Sequence, residues 1–241
     1  HSGMGGAVNT NSTYGSTNFD GSSLAVVSAN QAAGFSLLTY TGTGSNATIP
    51  HGLSSPPSYI IVKGTDDSRQ WIIGSDGLTD WNEYLLFTSS NGEAASSDVW
   101  NSTAPTSSVF SVGSNINTNK ININFVAYCF HSVDQYCKVG SFEGNSSADG
   151  AYVFCGFKPK FIIIKGIDAG SDWAFYDDQR LGFNVDNNLL RAATSGIEQT
   201  DDDIDILSNG FKLRRNSPTF NQNTLVFIAW ASQPFKFSNA R

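Results

Sequence analysis

Residues 161–173 read FIIIKGIDAGSDW and residues 59–71 read YIIVKGTDDSRQW, so one chain writes nearly the same thirteen letters twice. In both, a run of β-branched and aromatic residues gives way to Lys-Gly and then to an Asp-containing cluster, which is the pattern of a strand running into a tight turn. Lys63 and Lys165 lie 102 residues apart, as do Trp71 and Trp173. That interval is the length of a small domain, and the reading it supports is internal duplication.

Wider comparison extends the match. Tyr40-Thr41-Gly42 faces Phe142-Glu143-Gly144 and Phe125-Val126-Ala127-Tyr128 faces Phe227-Ile228-Ala229-Trp230, each at an offset of 102, whereas Gly52 pairs best with Gly156 at 104. Drift of this kind places insertions in loops, where length changes cost little. From Gly34 onward, short apolar or alternating runs are separated by Gly/Asn/Ser/Asp clusters, which predicts antiparallel strands. The expected strands are 35–41, 58–63, 70–74, 84–88, 108–112 and 122–130, then 137–142, 151–155, 160–165, 172–176, 204–207, 210–214 and 224–231. The predicted fold is all-β, with two tandem repeated antiparallel β-sandwich-like modules at 34–133 and 134–241; a single shared barrel or sandwich is the alternative. Residues 1–33, rich in Gly, Ser and Asn, read as an N-terminal arm or linker.

Composition limits the function classes. Charged residues make up 15% of the 241 residues, against a typical value of about 25%, and the net charge is −7. Phosphate-backbone binding needs clustered cations, and the basic residues gather only at Lys212, Arg214 and Arg215, so nucleic acid is not an expected partner. There is no run of about 18 apolar residues, so no membrane insertion is expected. His1 is not a natural translation start, so further chain is expected to precede it. Cys129, Cys137 and Cys155 form no CxxC motif and read as buried small hydrophobes, with a Cys129–Cys137 disulfide left open.

No chemistry-bearing motif stands out. His51 and His131 have no partner at a metal-ligand or triad spacing and are read as structural. No GxSxG motif and no prominent carboxylate pair is present, so no catalytic residue, metal or cofactor is expected. The acidic run Asp201-Asp202-Asp203 with Asp205 lacks the spacing and glycine of an EF-hand and reads as a solvated turn. Asp66-Asp67 and Asp168 recur after the two matched runs and read as turn caps. Among the aromatics, Trp71 and Trp173 match, as do Tyr128 and Trp230, so all four are assigned to the shared fold. Trp81 and Trp100 have no counterpart and are the candidate ligand-binding residues, since flat indole faces stack on sugars or fill partner pockets.

Five blocks carry a family resemblance: Thr39-Tyr40-Thr41-Gly42, His51-Gly52-Leu53, residues 103–110 (TAPTSSVF), residues 207–214 (LSNGFKLR) and residues 234–241 (PFKFSNAR). Together they resemble the duplicated C-terminal β domain of tail-fibre-like structural proteins of marine tailed phages, of cyanophage type, over about 20–241. Ser54-Ser55 and Cys137 depart from the usual pattern. The resemblance implies a virion protein made in the host cytoplasm and carried on the tail or particle exterior, non-enzymatic, usually trimeric. Its implied partners are a host surface glycan or protein and other virion subunits. A purely structural virion role is the alternative reading, and a polysaccharide-degrading enzyme is a third.

Overall fold

A computed structural model of the chain describes residues 15–168, 170–180, 184, 188–200, 203–217 and 220–231. The fold is all-β and every strand pairing is antiparallel. The chain divides into two compact units, His1–Leu86 with Glu93–His131, and Phe87–Gly92 with Ser132–Arg241.

The first unit contains β1 (Ser16–Asn18), β2 (Ala25–Asn30), β3 (Phe35–Thr41), β4 (Ala47–Pro50), β5 (Tyr59–Gly64), β6 (Ile72–Ser75), β7 (Glu83–Leu86), β8 (Ala94–Ala95), β9 (Val109–Val112), the one-turn helix α1 (Ile116–Asn119) and β10 (Asn124–Phe130). Its large sheet runs β1-β2-β3-β10-β5-β6-β7-β8, and β4 pairs with β9 in a second, smaller sheet. Alternation explains the packing: Leu38 and Tyr40 of β3, Ile60 and Val62 of β5, and Phe125, Ala127 and Cys129 of β10 all turn to one face. There they meet Ile49 of β4 and Phe110 and Val112 of β9, so the core lies between the two sheets in sandwich fashion.

The second unit contains β11 (Cys137–Glu143), β12 (Tyr152–Phe154), β13 (Pro159–Gly166), β14 (Ala174–Asp177), β15 (Asn188–Arg191), β16 (Gln199–Thr200), β17 (Ile204–Leu207), β18 (Gly210–Leu213) and β19 (Thr224–Ala231). Its large sheet runs β11-β19-β13-β14-β15-β16, and a second sheet runs β12-β18-β17. Ile162, Ile164 and Phe227 from the first meet Val153, Ile206, Phe211 and Leu213 from the second in one core.

Two expectations need correction. Residues 16–30, read as part of an arm or linker, form β1 and β2, because Ala25, Val27 and Ala29 alternate into the core and β2 pairs with β3 along its whole length. The match of Phe125–Tyr128 with Phe227–Trp230 is also not the match of the ladders. Phe125 sits between Tyr40 and Gly64, whereas the residue between Phe142 and Gly166 is Leu225, and Phe227 sits between Gly140 and Ile164. Strand β19 is therefore displaced by two residues from the letter-by-letter alignment. Trp230, packed against Phe161 at 5.7 Å, takes the place of Phe130 rather than of Tyr128.

Candidate functional site

The two unmatched tryptophans of the first unit come together. Gly74 of β6 makes this arrangement possible, since a Cβ at that position would lie 2.6 Å from the Trp81 ring and 2.8 Å from the Trp100 ring. The indoles meet edge to face, with centroids 5.7 Å apart at 84°, and Trp100 also packs edge-on to Phe110 at 6.4 Å. Trp100 is fully buried and offers no face to a ligand; its position makes it a core residue. Trp81 is 8% exposed, with its Nε1 donating to Asp76 Oδ1 at 3.0 Å, so it shows an edge to solvent instead of a stacking platform.

Outside that edge lies a cleft of about 460 Å³ lined by Asp80, Trp81, Asn82, Ser102 and Ala104. Ser102 Oγ donates to Asn82 Oδ1 at 2.9 Å, tying the β6–β7 turn to the loop after Trp100. That loop holds two consecutive non-glycine residues in the left-handed region, Asn101 at φ 53° and Ser102 at φ 45°. Asn46 Nδ2 donates to Asn101 Oδ1 at 2.7 Å and helps hold this uncommon backbone in place. Three carboxylates surround the turn. Glu83 accepts from the Asp80 N–H at 3.2 Å, and Glu93 accepts both the N–H and the hydroxyl of Thr79. Partial burial, then the neighbouring Asp80 and Glu93 carboxylates, push the Glu83 carboxyl above the usual range.

The other candidate residues serve the fold. His51 is buried, its Nδ1 accepting from Leu53 N–H at 3.0 Å and its Nε2 within 3.1 Å of the Thr106 carbonyl, which assigns the Nε2–H tautomer; burial lowers its pKa. Asp203, expected in a solvated turn, is buried beneath Tyr176 and Arg215, because a carboxylate that leaves water must find donors. Asp201 and Asp202 lie outside the described residues. Asp205 pairs with Arg214 and Lys212 with Asp149, so each member of the basic cluster faces a carboxylate. The three cysteines are free and buried, as small hydrophobes are; burial pushes the Cys137 and Cys155 thiols up to about 12. Asp66 and Asp168 reach further than a local turn cap. Asp66 accepts the Asn124 N–H at 3.0 Å and Asp168 the Thr224 N–H at 2.6 Å, each the first residue of the neighbouring strand.

Among the described residues, no cluster of three His, Cys, Asp or Glu side chains is placed to hold a metal ion, and no helix is long and apolar enough to cross a membrane.

The architecture defines an antiparallel, sandwich-type β protein, and a shallow polar cleft lies beside a tryptophan edge. Residues 9–234 match a family described as a domain of unknown function, DUF7483, and the chain belongs to that family. No curated protein and no solved structure matches the chain.

Proposed function

We propose that this chain is a duplicated β domain of a tail-fibre-like virion protein of a marine tailed phage, non-enzymatic, which recognises a glycan on the host surface. The observation that carries the binding assignment is the cleft itself. A carboxylate and an amide from the β6–β7 turn converge beside an indole edge with a hydroxyl from a loop held in left-handed backbone, the kind of convergent polar set that fixes a small polar ligand. Sugar hydroxyls both donate and accept, and Asp80, Asn82 and Ser102 supply both complements.

Duplication is supported by the shared strand paths. The order β3-β10-β5-β6-β7-β8 repeats as β11-β19-β13-β14-β15-β16, and Asp66 and Asp168 make the same kind of backbone contact in each. A particle exterior suits the low charge and the Ser/Thr/Asn-rich sequence, and a homotrimer follows from the fibre setting.

The test is binding of fluorescently labelled protein to a panel of marine bacteria, beside the Asn82→Ala and Asp80→Ala variants with folding checked by circular dichroism. Selective binding that folded variants lose supports the cleft. Binding that both variants retain moves the site elsewhere on the surface, and binding abolished by protease treatment of the cells points to an envelope protein.

A purely structural virion role is the second reading, and β12 favours it. Tyr152 and Phe154, 46% and 62% exposed, both project from the outward side of this edge strand and suit packing against a neighbouring subunit. In that case the protein assembles, Phe154→Ser weakens assembly in light scattering, and no cell is bound.

A further inference from the structure

Building on the reading of the Trp81 cleft as a glycan site, we infer that the cleft selects uncharged or amino-bearing sugars and rejects sulfated and uronate-containing chains. The inference starts from what the cleft lacks as a stacking site. Trp81 exposes 8% of its surface, too little for a ring-on-sugar platform, so recognition falls to the polar groups around it.

Those groups are acidic and uncompensated. Asp80 lines the cleft, and Glu83 and Glu93 stand close enough to influence one another electrostatically. Among the described residues, none of the three pairs with Lys or Arg; their contacts are the Asn82 N–H for Asp80, the Asp80 N–H and the Asp80 carboxyl for Glu83, and Thr79 for Glu93. Elsewhere in the same unit the pattern is opposite, where Asp67 is held by both Arg69 and Lys120. The lining itself contains no cation.

Available hydrogen-bonding atoms fit the same ligand. Asp80 accepts the Asn82 N–H through Oδ1 and touches the Glu83 carboxyl, and Asn82 Nδ2 donates to nothing among the described residues. A carboxylate oxygen and an amide N–H directed at one ligand suit adjacent hydroxyls, or a hydroxyl beside an ammonium group. A sulfate or uronate would be brought against Asp80 with no positive group to receive it, and like-charge juxtaposition in a contact is strongly disfavoured.

The experiment is retention of the intact chain on immobilised dextran, mannan, agarose and chitosan against dextran sulfate, carrageenan and alginate, at low salt and at sea-water ionic strength. Dextran and dextran sulfate share a backbone and differ in charge. The expected result is retention on at least one neutral or amino polymer about tenfold stronger than on any anionic one, a ratio that shrinks in the Asp80→Asn/Glu83→Gln double variant. Asn82→Ala should weaken all retention without changing the ratio. Equal or stronger retention on an anionic polymer overturns the charge selectivity while leaving glycan recognition standing. Failure of the folded protein to bind any polymer overturns the glycan reading of the cleft and this inference with it.

Discussion

Lys63 and Lys165 occupy the same place in two nearly identical stretches, yet they live in different surroundings. On β5 the inward residues Ile60 and Val62 are buried while Ile61 and Lys63 are only half-buried, and the Lys63 ammonium donates to one carbonyl, that of Gly64, at 2.9 Å. On β13 both sides are buried. Lys165 has no exposed surface, and its ammonium donates to the carbonyls of Ser171 at 2.6 Å, Gly166 at 3.0 Å and Ser90 at 3.2 Å. The tryptophans follow suit: Trp71 is half-buried, while Trp173 is 1% exposed and packs on Phe87 at 5.0 Å. Local sequence decides that both stretches are strands; what covers them, here the segments around Ser90 and Ser171, decides what each side chain does.

The comparison can be broken by paired substitutions, with stability read from equilibrium urea unfolding. Trp173→Ala should cost about 4 kcal/mol, the range for emptying a large buried ring site, while Trp71→Ala should cost about 1 kcal/mol. Near-equal losses would erase the contrast. Lys165→Ala should cost about 3 kcal/mol because it leaves three carbonyls without their shared donor, against about 0.5 kcal/mol for Lys63→Ala. A Lys165→Met variant as stable as the parent would show that the buried stem matters and the ammonium does not. Phe87→Ala, which removes the ring that meets Trp173 at a tilt and Phe175 edge-on, should cost about 2 kcal/mol.

The contrast also extends to pH. Burial pushes the Lys165 ammonium down to about 8, with the Asp172 carboxylate opposing the shift. Below pH 8 both folded and unfolded chains hold this proton, and the cost of burying the charge is fully present. Between about 8 and 10.5 the unfolded chain holds more of it, so this group makes stability rise with pH across that window. Urea midpoints should show that rising contribution in the parent and in Lys63→Met, and should lose it in Lys165→Met.

Much of this was legible in the letters. Strands whose apolar residues alternate or run together, such as 35–41 and 224–231, appear with those bounds. Six strands were missed: β1 has three residues, β8 and β16 have two each, β4 ends in Pro50, β2 buries two alanines and one valine, and β15 is a four-residue strand with only the pair Leu189-Leu190 as its apolar signal. The alternation Ala25, Val27, Ala29 was the available signal for β2. At the site, the lack of a repeat partner drew attention to Trp81 and Trp100, but no sequence property tells which of two indoles faces the core. The lining by Asp80, Asn82 and Ser102 depends on two loops meeting, a tertiary fact. The two-residue displacement of β19 was hidden because phenylalanines stand at both 125 and 227, and similar letters masked different neighbours.

That displacement, with the carboxylates at Asp66 and Asp168 gripping the first amide of β10 and of β19, has a consequence for how such a domain can change. Side chains alternate strictly along a strand, so moving β19 by an even number of positions keeps Leu225, Phe227 and Ala229 in the core between the sheets, whereas an odd step would turn all three to the opposite face, which Val226 and Ile228 now fill. Variation within the ladders is thus governed by parity, while the loops between them are free to change by any number.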